Sequence, residues 1–157
     1  RPIYPTFISR SSGDRFHGSL TETGRAACYA AHFAWVKSQM ILNDFIARLG
    51  RDDALMFEET LAIIDEFYVF TPTAFSNGIG DEILYNAPDR NQGSCRLFAF
   101  GKLNNLDEKQ LLACFGEHYR HVLADPDGKD HANIRTFMRN GWQGIRFEGE
   151  PLRLRQH

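Results

Sequence analysis

The feature that most constrains the fold is a wide apolar stripe at helical spacing between Asn105 and the run Asp125-Pro126-Asp127-Gly128. Asn105 and Glu108 have the spacing of a capping box, which marks a helix start. A stripe of this width lies on one side of a helix and is buried when the chain folds. The segment therefore predicts one helix packed against a core. Its apolar positions are Leu111, Leu112, Phe115, Tyr119, Val122 and Leu123.

Several other segments repeat this pattern, with turn formers and short extended stretches between them. Pro72 disfavours helical dihedral angles at Thr71, so the chain should become extended there. Residues 94–103 fit the alternation of a strand nearly as well as a helix, and both remain open. The pattern predicts a mainly helical single α+β domain with a small antiparallel sheet. The predicted helices cover residues 25–37, 40–50, 52–67, 94–103 and 130–140; a strand is predicted at 83–85, a turn at 76–78, and a hairpin from 144–148 and 151–154.

The first 39 residues differ from the rest of the 157-residue chain, which has the length of one domain. Residues 1 to about 24 are rich in Pro, Ser, Thr, Gly and Arg and show no sustained hydrophobic period. Residues 1–39 are also basic, whereas the remainder is acidic. We expect a poorly structured extension or upstream segment at 1–39 and a folded domain at 40–157.

Charge and composition exclude several function classes. The net charge is −2 and the acidic body lacks clustered Lys and Arg, which argues against nucleic-acid binding. Apolar runs stay far shorter than the roughly 18 residues of a membrane span, and we expect neither a membrane segment nor an export signal peptide. Three cysteines are too few and odd in number for a disulfide framework, which fits a reducing compartment such as the cytoplasm.

Three short polar runs, at residues 70–78, 91–95 and 130–135, combine turn formers and hydrogen-bonding side chains with apolar residues. Such runs are typical of loops and helix starts that line a shared site. Asp130 is predicted to cap the following helix, and Arg135, on its polar face, is placed to clamp a carboxylate or phosphate. The alternative is that Asn and Thr only close turns here. The candidate ligand-binding residues are Thr71, Thr73, Asn77, Asn91, Ser94, Asn133, Arg135 and Trp142.

A Cys/His enzyme is a second hypothesis for the same runs. Cys95 follows Gly93 and Ser94 at a predicted helix start, where the helix dipole would lower the pKa of the thiol. His131, at the start of another helix, could act as its base, with Asp130 or Asn133 orienting the imidazole ring. A lone cysteine without a local signature more often fills a core.

A metal site is the weakest of the hypotheses. Cys114, His118 and His121 fall in one row on the predicted helix, and Cys28 with His32 repeats the Cys-x-x-x-His step. A cysteine beside an apolar face is usually a small buried filler, and a histidine at its edge is usually solvated. We therefore predict no metal ligands and no cofactor.

An ordered set of motifs, spread over about residues 40–154, resembles the HopJ type III effector family. The resemblance implies a bacterial protein assigned to type III secretion and host interaction, without an established activity or catalytic residues. Family members begin near Met40, so residues 1–39 depart from the pattern. The motifs lie at residues 70–78, 91–103, 114–116, 131–138 and 140–145.

Three functional hypotheses result. The first is a type III effector that acts by binding a small polar ligand or a host protein partner, with no nucleic acid or membrane involved. The second is a hydrolase or transferase that uses Cys95 and His131. The third is a non-secreted intracellular protein. The resemblance implies the bacterial cytoplasm as the location, with secretion through a type III system; the sequence does not predict an oligomeric state.

Overall fold

The computed structural model describes residues 21–156, which form six α-helices, five short β-strands and two short 3-10 helices. The described residues divide into two units between residues 35 and 36, and every strand described lies in the second unit. The predicted mainly helical α+β fold is confirmed. Within the described residues, no helix has the length and apolarity needed to cross a bilayer. The elements are α1 Glu22–Arg48, α2 Phe57–Phe67, β1 Tyr68–Phe70, β2 Phe75–Asn77, β3 Leu84–Asn86, α3 Gln92–Leu103, α4 Glu108–Cys114, α5 Glu117–Ala124, α6 Ala132–Asn140, β4 Arg146–Phe147 and β5 Leu152–Leu154.

Helix α1 replaces the two separate helices predicted at 25–37 and 40–50. The residues between them contain neither Gly nor Pro, so nothing in the sequence interrupts the backbone hydrogen bonds. In the second unit, Leu42 and Phe45 from α1 are buried in the core. The extension predicted at 1–39 stays a prediction: residues 1–20 lie outside the described residues, and 22–39 are helical.

The strands form two small antiparallel sheets, β1–β5 and β3–β2–β4. The predicted hairpin at 144–154 is wrong, because β4 pairs with β2 and β5 pairs with β1. Phe75 lies opposite Phe147, and their ring centroids are 6.1 Å apart, so side-chain packing on distant strands decides the pairing. The predicted strand at 83–85 is confirmed with a shift of one residue, whereas the turn predicted at 76–78 starts later, since residues 76 and 77 belong to β2.

The apolar stripe predicted as one helix forms two, α4 and α5, with a break at Gly116. Gly116 has φ +56° and ψ −125°, a conformation that side chains disfavour. A Cβ there would lie 2.5 Å from the backbone nitrogen of Phe57 and 2.8 Å from the carbonyl oxygen of Leu55. The close approach of the chain before α2 therefore fixes the break. The capping box also differs, since Asp107 and Gln110 form it instead of Asn105 and Glu108.

Helix α3 runs through the middle of the core, which settles the choice between helix and strand at 94–103. Both Phe98 and Phe100 are fully buried. The Phe98 ring lies between 5.2 and 6.4 Å from four other aromatic rings. Burial around most of its circumference hides the helical period in the sequence of α3. The four rings belong to Phe75, Phe115, Phe137 and Trp142.

Helix α6 begins one residue later than a cap at Asp130 would place it. His131 occupies the N-cap position with φ 50°, and its side chain makes no cap hydrogen bond. Ile134 and Phe137 are buried, but Met138 is 42% exposed. Arg135, predicted on the polar face, is instead buried. The face of α6 that contacts the core is therefore rotated toward Arg135.

Candidate functional site

A cavity of about 400 Å³ lies where the N-terminal ends of α3, α5 and α6 meet. Its walls combine hydrogen-bonding side chains with two phenylalanine rings. A slightly larger groove, about 460 Å³, lies along β5, and none of the residues predicted for a site lines it. The smaller cavity is therefore the candidate site. Its lining residues are Phe57, Asn91, Gly93, Ser94, Phe115, His118, His131, Ala132, Asn133 and Ile134.

Four asparagines connect the sheet to the two helix starts at this cavity. Asn133 Nδ2 donates to Asn86 Oδ1 at 2.8 Å, and Asn91 Nδ2 donates to the same oxygen at 2.7 Å. Asn77 Nδ2 donates to the carbonyl oxygen of Asn133 at 2.8 Å. Asn77 Oδ1, by contrast, accepts no hydrogen bond from the described residues. The network fixes the starts of α3 and α6 relative to β2 and β3.

Both helices enter the cavity through a residue in the left-handed conformation. Asn91 has φ 49° and His131 has φ 50°, which is uncommon for residues other than glycine. Neither N-cap side chain bonds the first turn of its helix. First-turn N–H groups lack helical partners and carry partial positive charge, which favours acceptor or anionic groups nearby. This end of the cavity can therefore receive hydrogen-bond acceptors.

Two histidines lie side by side in the cavity. The ring centroids of His118 and His131 are 5.1 Å apart, and the Phe57 ring packs edge-on to His118 at 4.8 Å. Partial burial lowers the pKa of His131 below its ordinary value, so its neutral imidazole predominates near neutral pH. A neutral imidazole offers one donor and one acceptor.

Helix α5 places His118 through contacts on either side of that residue. A Glu117 carboxylate oxygen accepts a hydrogen bond from the N–H of Phe57 at 2.7 Å. Arg120 donates to the carbonyl oxygen of Leu55 at 2.8 Å. Both bonds join α5 to the start of α2, across the break at Gly116. The histidine position is thus set by contacts distant in sequence.

Arg135 supports the loop before α6. Its guanidinium donates to the carbonyl oxygens of Asp125, Pro126 and Asp130 at 2.7 to 3.1 Å. It also donates to Asp130 Oδ1 at 2.8 Å, and this contact holds the pKa of the Asp130 carboxyl below its ordinary value. Asp130 therefore pairs with Arg135 instead of capping α6. The N–H groups of Arg135 thus bind the loop before α6, whereas the sequence had predicted that they clamp a carboxylate or phosphate of a ligand.

Cys95 has the opposite chemistry from that expected at a helix start. It lies in the first turn and a half of α3, since α3 begins at Gln92 and not at Ser94. Burial raises the pKa of its thiol to about 11, and Sγ donates to the carbonyl oxygen of Thr73 at 3.4 Å. Among the described residues, no histidine is hydrogen-bonded to Sγ. The expectation of a lowered thiol pKa was wrong because desolvation outweighs the helix dipole here.

The structure brings four of the predicted residues together at the cavity and places the others elsewhere. Asn91, Ser94, His131 and Asn133 line it. Asn77 is buried behind Asn133, to which it is hydrogen-bonded. The residues outside its lining are Cys95, Thr71, Thr73, Arg135 and Trp142. Trp142 anchors the core instead of lining the cavity, since its Nε1 donates to the carbonyl oxygen of Leu106 at 2.9 Å and its ring packs on Phe137.

His118 is the main cavity residue that the sequence assigned to another role. The row of Cys114, His118 and His121 requires one continuous helix, and the break at Gly116 separates Cys114 from the histidines. Cys114 is fully buried, and burial raises its pKa. The hydrogen bond between Glu117 and Phe57, which helps to place His118 at the cavity, joins residues far apart in the sequence and could not be predicted from it.

Comparison with known proteins gives one family and one solved structure. The family model described as HopJ type III effector protein matches residues 42–152. The structure titled "Crystal structure of unknown function protein VPA0580" is 46% identical in sequence, with a TM-score of 0.66. The match covers 73% of this chain and 93% of that one. No match was found among curated proteins.

Replacing Asn133 by Ala should lower the free energy of unfolding by about 1–3 kcal/mol, because its amide bonds to Asn86 and Asn77 would be lost in a buried place. Urea denaturation followed by circular dichroism measures the change. Asn43→Ala, on the exposed side of α1, should change it by less than about 0.5 kcal/mol. Equal effects of the two substitutions would contradict a structural role for the network.

In the folded protein, only Cys28 should react quickly with the thiol reagent DTNB, since Cys28 is exposed while Cys95 and Cys114 are buried. At pH 8, a thiol with a pKa near 11 is about one-thousandth thiolate, and only the thiolate reacts. Absorbance after mixing counts the reactive thiols. The Cys28→Ser variant should release the chromophore only when urea is added, and fast labelling of that variant would show that Cys95 or Cys114 is accessible.

Proposed function

We propose that this chain, which belongs to the HopJ type III effector protein family, acts by binding a small polar ligand in the cavity between α3, α5 and α6. Family membership supports an effector role and indicates no reaction. In this cavity, polar side chains from distant segments converge on a common volume, and four of them are residues that the sequence predicted for a site. Binding is therefore the activity that the geometry supports best.

The observation that carries this proposal is the meeting of Ser94, His118 and His131 around one cavity. A hydroxyl and two imidazoles give donors and acceptors on several sides of a ligand. Phe57 and Phe115, stacked with their planes 8° apart, supply an apolar wall. A volume near 400 Å³ suits a small molecule, and this mixture of apolar wall and few polar groups is typical of ligand sites.

The other hypotheses receive less support. A Cys/His enzyme needs a thiol that ionises near neutral pH and a base beside it, and the buried, Thr73-bonded Cys95 offers neither in the described structure. A host protein partner stays a prediction, as does a non-secreted role.

The ligand proposal is tested by screening small polar fragments against the full chain with protein-observed NMR. Carboxylate, phosphate and amide fragments that bind should shift the amide resonances of Ser94, His118 and Ala132. His118→Ala should weaken their binding about tenfold, because the variant loses one hydrogen bond to the fragment and the contacts of the imidazole ring.

His32→Ala is the matched control, since His32 is exposed on α1 and does not line the cavity. It should bind the same fragments with unchanged affinity. The proposal is wrong if no polar fragment shifts the cavity resonances, or if both histidine substitutions weaken binding equally.

We also propose that the chain is exported through a type III secretion system, on the basis of family membership. A reporter fused to the chain should appear in host cells when the bacterium has an intact apparatus and should be lost when the export ATPase is deleted. Reporter activity in the bacterial lysate controls for expression. Equal export by both strains would contradict this assignment.

A further inference from the structure

A group of three side chains lies at the edge of the cavity: His121 on α5, and Asp130 and His131 before α6. Of the three, His131 also lines the cavity, whereas His121 and Asp130 do not. Their ligand atoms all lie within 4.8 Å of one another. His121 Nε2 is 3.0 Å from Asp130 Oδ2, and His131 Nε2 is 3.9 Å from the same oxygen. Two imidazole nitrogens thus face one carboxylate oxygen.

The carboxylate in this group is held from behind. Arg135 is buried, and its Nη2 donates to Asp130 Oδ1 at 2.8 Å, which leaves Oδ2 directed toward the histidines. The other arginine donors bind the backbone of the same loop. Carboxylates that bind a metal are usually hydrogen-bonded in this way by an outer-shell residue, the position that Arg135 has here.

The histidine that joins the group to the cavity has a constrained backbone. His131 adopts φ 50° at the N-cap of α6, and such conformations of residues other than glycine cluster at functional sites. Its ring centroid is 5.5 Å from that of His121. His131 thus has its left-handed conformation at the point where its imidazole lies beside that of His121 from α5.

We propose that His121, Asp130 and His131 bind a divalent first-row transition metal ion such as Zn²⁺. Two imidazoles and one carboxylate are ligands that suit zinc and its neighbours in that row. Zinc bonds of about 2.0–2.2 Å require ligand atoms about 3–4 Å apart, so the group needs only a small closure. The His121 side chain is more than half exposed, so its ring can make this closure toward Asp130.

Three protein ligands leave a fourth tetrahedral position for water or a further ligand. His131 belongs to this group and also lines the cavity, so a bound metal would lie at the cavity edge. The competing explanation is a plain hydrogen bond between His121 and Asp130. That bond requires no metal, and metal titration separates the two.

The test uses the full chain after treatment with a chelator, titrated with Zn²⁺ in a calorimeter and with Co²⁺ while visible absorption is recorded. We expect one tight zinc equivalent and the ligand-field bands of tetrahedral or five-coordinate cobalt. His121→Ala and Asp130→Asn should each weaken zinc binding by more than about 100-fold, because loss of an outer-shell partner alone costs up to about 100-fold and these residues bind the metal directly.

Two matched controls locate the site. His32→Ala should leave the affinity unchanged, which excludes binding by Cys28 and His32 on α1. His118→Ala should also leave it unchanged, because His118 lines the cavity but is outside the three-residue group. Conversely, His121 does not line the cavity, so failure of the metal proposal leaves the ligand proposal intact.

The metal proposal is overturned if the wild-type chain binds no zinc in the micromolar range. It is also overturned if His121→Ala and Asp130→Asn, shown by circular dichroism to be folded, bind zinc as tightly as the wild type. Loss of binding in His32→Ala alone would equally overturn it, since the zinc would then be held on α1.

Discussion

The hydrogen-bonded asparagines hold the candidate site together. Asn133 is bonded to Asn77 and Asn86, and Asn91 shares the Asn86 oxygen, so one network reaches β2, β3, α3 and α6. Buried amides are costly unless they are bonded, and alternative packings would lose these bonds. The network thus specifies where the two helices start. The cavity exists because those starts lie side by side.

The helices were largely predictable because their apolar spacing and their ends are local signals. Within the described residues, two of the errors arose where distant contacts decide local structure. The sequence pattern continues across Gly116, yet the chain before α2 approaches too closely there for a side chain, and the helix breaks. Likewise β4 and β5 are near in sequence but pair with different strands. Hairpin signals cannot reveal partners that lie far away in the chain.

The candidate site was predictable in position and less so in chemistry. Asn91 and Ser94 meet residues 131–133 at the cavity, whereas the third predicted run, at residues 70–78, does not line it. The role of each side chain depends on its partners. Arg135 donates its hydrogen bonds to carbonyl oxygens of the loop before α6, and Cys95 is buried away from water. The left-handed conformation of His131 could not be predicted from residue type, because histidine adopts it more often than most residues but still uncommonly. Residue type indicated which interactions a side chain can make, and packing determined which of them it makes in the folded protein.

The pairing of β1 with β5 has a consequence for folding kinetics. Tyr68 lies opposite Leu154, and Arg155 donates to the carbonyl oxygen of Asp65 across 90 residues of sequence. Closing so long a loop costs chain entropy before its contacts can compensate, whereas the helices form from neighbours. The two-stranded sheet is therefore the least local part of the topology. It raises the contact order of an otherwise helical chain and sets its folding apart from that of a simple helix bundle.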